Sequence, residues 1–291
     1  MQLIQLVISG LAQGCIYALV ALGFVLIYKA TETFSFAQGD LMMLGAFCGF
    51  FAVHFAGAPY WLALIVSVVV MFGLGLLIEL AVVRPILGQP AFSVVMLTIG
   101  IGYVVRSLIT MVPGVGIETH AMPVPYRGLV WQFGGLRLAA EQGVVIGATV
   151  LLCFALYLMF RYTKLGIAMQ ATSQNQLAAY YMGIPVRRLN NLVWGLATAV
   201  CALAGMLLAP MTFVHANMGY IGLKALPAAV IGGFGSLPGA VVGGLIIGLV
   251  ESLAGFYLPV GIKDIAAYVV VLLMLVIKPT GLFGEKLRKK V

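Results

Sequence analysis

Few side chains in this sequence could move a proton, hold a metal ion or attack a carbonyl, and those few lie far apart. Three carboxylates fall inside or at the edges of apolar runs, Asp40, Glu79 and Glu251. Ion-coupled transport places ionisable or coordinating groups within the membrane, and Glu251 and Asp40 are the two positions that would have to serve such a mechanism. The histidines His54, His120 and His215 sit at run ends or between runs. None has a partner at metal-ligand spacing, so no metal site is expected. Ser236 lies in GFGSLPG, where Phe234 stands in place of the glycine of a G-x-S-x-G nucleophile elbow, which argues against a hydrolase. There is no G-x-x-x-x-G-K-[ST] phosphate loop, so ATP is not bound here by that means. The sequence therefore reads as a non-enzyme without a cofactor, whose energy must come from elsewhere.

What positions these residues is an almost wholly apolar framework. The 291 residues are 63% hydrophobic and 8% charged, with a mean hydropathy of +1.14. That composition excludes a soluble domain and predicts an all-α, polytopic integral membrane protein. Eight spans are expected, near 4–28, 38–54, 59–83, 92–111, 142–160, 189–213, 238–255 and 262–277, within a single domain covering 1–291. The first run lacks a basic leader and reads as a membrane helix, with its amino terminus outside and Lys29 inside. The net charge of +8 does not point to nucleic acid, because the cations cluster at 161–164, 187–188 and 286–290, where they mark cytoplasmic loops and a cytoplasmic carboxyl terminus. Cys15, Cys48, Cys153 and Cys201 fall in apolar runs and read as small core residues without a disulfide.

Four charged residues need an account within this framework. Glu79 and Arg84 at the end of the third run should snorkel or pair at the interface. Arg106 interrupts the fourth run, where a central position would cost about 2.5–3.5 kcal/mol on insertion scales, and snorkelling to the outer interface is the expectation. A role in a polar pathway is the alternative. Gln38 and Asp40 stand at the entrance of the second run, where a carboxylate favours the positive end of the helix dipole, so Asp40 reads as structural. Between 112 and 141, Pro113, Pro123 and Pro125 predict an external loop without a long helix.

Two stretches break the apolar pattern. From 222 to 251, Pro227, Gly232, Gly233, Gly235, Pro238 and Gly239 rule out one straight helix. A short discontinuous segment ending near Phe234 followed by a full span is expected. Backbone freed by such a break must be buried or line a wet cavity, so Gly232, Gly233, Gly235, Ser236 and Gly239 are the candidate translocation path. The alternative is close helix packing at G-x-x-x-G spacing. Arrangement of a helix, a break and another helix in both halves permits an inverted repeat.

The other break is the polar loop 161–188. Ser173 and Gln176 form a capping-box pattern, Gly183 supplies a left-handed stop and Pro185 cannot continue the helix. A helix from Gln174 to Met182, about 13 Å long, is predicted. Leu177, Tyr180 and Tyr181 share a face, with Ala178 and Met182 beside them. So short a helix needs tertiary contacts, which either this chain's own helices or a partner protein could provide.

LAAYYMG, 177–183, resembles the EAA-and-Gly loop signature of the membrane subunits of bacterial ABC importers. The wider loop, together with FSFAQGDLMMLG at 34–45 and GGFGSLPGAVVGG at 232–244, is similar to the branched-chain amino-acid permeases. That resemblance implies an inner-membrane permease subunit importing leucine, isoleucine and valine. It also implies as partners two ATP-binding subunits, a related permease and a periplasmic substrate-binding protein. The loop would receive the ATP-binding subunit through Leu177, Ala178, Ala179, Tyr181, Met182 and Gly183. Leu177 replaces the usual acidic residue, which removes a salt bridge and leaves an apolar face. Related permeases carry urea or short amides, and that substrate class and a proton- or sodium-coupled transporter are the alternatives.

Overall fold

The computed structural model describes residues 2–86, 88–133, 136–259 and 262–284. In chain order the helices are α1 (Gln2–Thr31), α2 (Gln38–His54), α3 (Tyr60–Ile78), α4 (Ala91–Thr110), α5 (Ala140–Tyr162), α6 (Lys164–Gln174), α7 (Gln176–Tyr181), α8 (Val186–Thr212), α9 (Gly219–Gly232), α10 (Leu237–Tyr257) and α11 (Ile262–Ile277). A π-helical turn, Glu79–Val83, continues α3. The loop between α4 and α5 holds a two-stranded hairpin, β1 (Val130–Phe133) against β2 (Leu136–Ala139), which the sequence pattern did not indicate.

The two longest helices are the core. Their most apolar stretches are 89% buried in α1 and 83% buried in α8, against 22% in each of α3, α4 and α5. A helix that is apolar all round belongs inside, whereas the peripheral helices present an apolar face outward, as lipid requires. Small residues set the approach of α10 to α1. A Cβ on Gly248 would stand 2.3 Å from the Cα of Gly14, so the two backbones touch directly.

Both core helices end in an unusual way. Glu32 after α1 and Phe213 after α8 hold φ of 53° and 66°, the two positive values outside glycine among the described residues. Each turns the chain back into the bundle and into a shorter helix, α2 or α9. Segment 32–37 runs inward until the Phe36 amide donates to Thr98 Oγ in α4 at 3.1 Å. At the start of α2 the Gln38 amide oxygen accepts from Cys201 Sγ, midway along α8, at 2.8 Å. Gly39 and Gly222 then bring α2 and α9 into contact, a Cβ on Gly222 falling 2.2 Å from the Gly39 Cα. The first helix of each half packs on the third helix of the other, α1 on α10 and α8 on α3.

The helix count differs from the sequence expectation at two elements, α2 and the 16-residue α11, which is shorter than a full crossing. Among the described residues, six helices are long and apolar enough to cross a membrane, α1, α3 with its extension, α4, α5, α8 and α10. The second expected span, α2, begins inside the bundle and has 17 residues, fewer than the roughly twenty of a full crossing. The reason is the re-entrant turn at Glu32. The expected break between α9 and α10 is present at 233–236. The basic cluster at 286–290 lies outside the described residues.

Candidate functional site

The loop between α5 and α8 forms two helices rather than one. Thr163 caps α6 by accepting the Gly166 amide at 3.1 Å. Gln174 ends that helix, and Asn175 caps α7 by accepting the Ala178 amide at 3.0 Å. The capping box expected from Ser173 is not formed, because the Ser173 hydroxyl donates to the Gln170 carbonyl within α6 at 2.9 Å. The extended backbone at Asn175, φ −159°, separates the two helices and makes it the cap.

The stop is as expected. Gly183 holds φ +80°. Its amide donates to the Tyr180 carbonyl at 3.0 Å and the Ile184 amide donates to the Ala179 carbonyl at 3.0 Å, a Schellman closure. Pro185 then starts α8, its carbonyl accepting from Arg188 and Leu189.

Of the side chains named for this surface, Ala179 turns inward and is buried, whereas Leu177, Tyr180, Tyr181 and Met182 are 67–82% exposed. This chain does not cover that face. Two ties hold α7 to the core nonetheless. Gln176 Nε2 donates to the Ala30 carbonyl in the last turn of α1 at 2.8 Å. Ile184 packs against the buried cluster at the head of α8. Through these contacts α7 is joined to α1 and to the buried core.

The glycines of the α9–α10 junction divide into two groups. Gly232 and Gly239 close on one another, a Cβ on Gly232 meeting Gly239 backbone at 2.2 Å, and Gly233 packs on 280–284 with φ +92°. Gly235 and Ser236 border an open cavity of about 730 Å³ between α1, α5, α6 and α10, with Lys29, Arg161 and Gln170. Ser236 also caps α10 by accepting the Gly239 amide. Close packing thus explains Gly232, Gly233 and Gly239.

The isolated charges find partners. Arg106 does not snorkel outward: its Nε donates to Asp40 Oδ1 at 3.1 Å, and the Tyr220 ring lies 4.2 Å from the guanidinium. Glu251, within the last two turns of α10, is 2% exposed. It accepts from Tyr17 Oη and from Lys224 Nζ, the latter at 3.1 Å. Glu79 takes Arg84 at 2.9 Å and Asn191 Nδ2 at 2.6 Å. A buried ion needs such partners, and in each case two or three helices contribute them. Sequence reasoning identified Arg106 and Glu251 as anomalous but could not pair them, because their partners lie on other helices. The missed element is segment 32–37, for which the only signal was a charged residue, Glu32, followed by Thr33 and Ser35 alternating with Phe34 and Phe36 in a strip too short to span.

No cluster of three or more potential metal ligands occurs among the described residues.

A family model described as branched-chain amino acid transport system / permease component matches residues 6–278. The chain is 29% identical to the high-affinity branched-chain amino acid transport system permease protein LivH of Escherichia coli K12, over 99% of this chain and 97% of that one. It is 27% identical to BraD of Pseudomonas aeruginosa, covering 99% and 98%. A probable LivH of Methanocaldococcus jannaschii is 29% identical, covering 93% and 89%. Among solved structures, PsaBC from Streptococcus pneumoniae in complex with Fab shares the fold, with a TM-score of 0.50 at 14% identity over 94% of this chain and 91% of that chain. With its apolar helices, its interrupted core and a family match spanning nearly its full length, the chain belongs to the permease-component family of branched-chain amino acid transport systems.

Proposed function

We propose that this chain is the inner-membrane permease subunit of an ATP-driven importer for leucine, isoleucine and valine. The observation that carries the reading is the uncovered face of α7. A rigidly capped helix that leaves Leu177, Tyr180, Tyr181 and Met182 exposed suits a hydrophobic cleft in an ATP-binding subunit. The α7 end then lies in the cytoplasm, in agreement with Arg161, Lys164, Arg187 and Arg188 around it. The opposite end, with the hairpin, faces the binding protein.

Closure of two ATP-binding subunits pushes α7, and the push passes through Gln176 to α1 and through Ile184 and Pro185 to α8. Both core helices carry re-entrant segments, so their movement opens and closes the space around α2 and α9. The Gly232–Gly239 contact shuts the α7 end of α9 in the present state, with Gly235 and Ser236 at the border of the adjoining cavity. A second permease, related to this chain, completes the passage. The ion-coupled alternative loses support, because Asp40 and Glu251 are each engaged by a cation.

The test is co-purification of the ATP-binding subunit with Leu177→Asp/Tyr181→Asp, two exposed changes that leave the α7 caps intact. Loss of the subunit with normal yield of the permease is expected. Full retention would remove the role from α7.

A further inference from the structure

The interrupted helices α2 and α9 begin at one place in the bundle, and a charge pair occupies that place. Asp40 lies in the first turn of α2, Tyr220 in the first turn of α9 and Arg106 on α4. Nε and Nη2 of Arg106 both donate to a single oxygen, Asp40 Oδ1. The backbones of Gly102 and Gly219 press on the carboxylate, a Cβ on either falling 2.3 Å from one of its oxygens.

This pair differs from the other two. Glu79 engages both carboxylate oxygens through Arg84 and Asn191, and Glu251 engages both through Tyr17 and Lys224. Asp40 Oδ2 has no hydrogen-bond donor among the described residues. The Asp40 and Arg106 side chains keep 14% and 18% exposure, so the pair is reachable.

A buried stripe of α4 runs from it along the re-entrant segment. Val94, Thr98, Gly102 and Arg106 recur every four residues and form one stripe of α4 facing segment 33–40. Val94 borders a recess of about 690 Å³ at the α7 end, together with Glu32, Thr33, Gln176 and Asn190. On the same re-entrant segment, Ser35 Oγ and Gln38 Nε2 are buried without any hydrogen-bond partner. Native interiors rarely leave such atoms unsatisfied, and their presence marks a segment that meets polar groups absent from a closed bundle.

We propose that Asp40 and Arg106 form a binding position for the main-chain charges of the transported amino acid. Its ammonium meets Asp40 and its carboxylate meets Arg106, replacing their contact with each other. This rests on the reading that the chain carries amino acids. The selectivity follows from charge balance. Separating a half-buried pair exposes two unlike charges, and only a zwitterion supplies both missing partners at once. A solute with one charge leaves one ion bare, and urea or a short amide satisfies neither fully.

The assembled importer, with both permeases and its ATP-binding subunits, provides the test. Radiolabelled leucine binding is measured without the binding protein, in competition with leucinamide, which has only the ammonium, and 4-methylpentanoate, which has only the carboxylate. Saturable binding displaced by unlabelled leucine and by neither analogue at equal concentration is expected. Displacement by one analogue as effective as leucine, or absence of saturable binding, would overturn the proposal. In proteoliposomes with the binding protein, Asp40→Asn/Arg106→Gln keeps a hydrogen-bonded pair without charge. Leucine uptake should fall about tenfold or more while the variant permease still assembles with its ATP-binding subunits at normal yield. Wild-type uptake in that variant would overturn the proposal and leave the importer reading intact. Wild-type importer that moves urea but no amino acid would overturn both.

Discussion

At Gly183 the backbone occupies the left-handed region, φ +80°, with open space where a side chain would stand. Substitution is therefore opposed by conformation and not by crowding. A left-handed L-residue costs about 1–2 kcal/mol, and Gly183→Val adds a branched Cβ to that cost. The expected outcome is a misdirected α7 with an intact membrane bundle, read as normal yield and a loss of ATP-driven uptake. At Glu251 the expectation is the reverse. Removing it takes the buried carboxylate from Tyr17 and from Lys224, whose side chain is 26% exposed, and losing one partner of a buried pair costs up to about 3–5 kcal/mol. Glu251→Ala should lower the thermal midpoint of the purified protein by several degrees, whereas Glu251→Gln, which can still accept from Tyr17, should recover part of the loss. Gly183 was legible in the sequence because a stop signal is local. The Lys224 partner of Glu251 was not, since it depends on how α9 and α10 meet.

At the scale of elements, the caps decide where helices begin. Asn175 accepts the Ala178 amide, so Asn175→Ala should destabilise α7 by about 1 kcal/mol and raise amide exchange over 176–182, with α6 protected as before. Ser173→Ala should leave that exchange unchanged, because Ser173 bonds within α6. The sequence offered both residues as caps, and the choice fell to backbone geometry that a spacing rule does not contain. The Gly- and Pro-rich break between α9 and α10 was plain, since Pro238 and the adjacent glycines interrupt an apolar run. Its counterpart at 32–37 was hidden. Glu32 and Phe213 adopt positive φ under tertiary constraint, and neither residue type announces it. Interior approach follows the same logic: Gly248→Leu would force Gly14 of α1 away from α10, with a penalty above the roughly 1–3 kcal/mol of an overpacked core. Loss of folded protein on size-exclusion chromatography is the expected result.

At the scale of the whole molecule, an uncovered helix at one end is joined to interrupted helices inside. The hydrogen bond from Gln176 to the Ala30 carbonyl and the packing of Ile184 against the core connect the two. Membrane class and the family followed from composition and three motifs, because hydropathy is summed along the chain and motifs are contiguous. The pairing of α1 with α10 and of α8 with α3 is a property of the assembled bundle. The claim that α7 couples ATP hydrolysis to this bundle is tested most directly by measuring ATP-driven leucine uptake with Gly183→Val in proteoliposomes, with co-purification of the ATP-binding subunit scored alongside. The account requires uptake to collapse while the permease inserts and folds normally. Unchanged uptake with a fully retained ATP-binding subunit would contradict it.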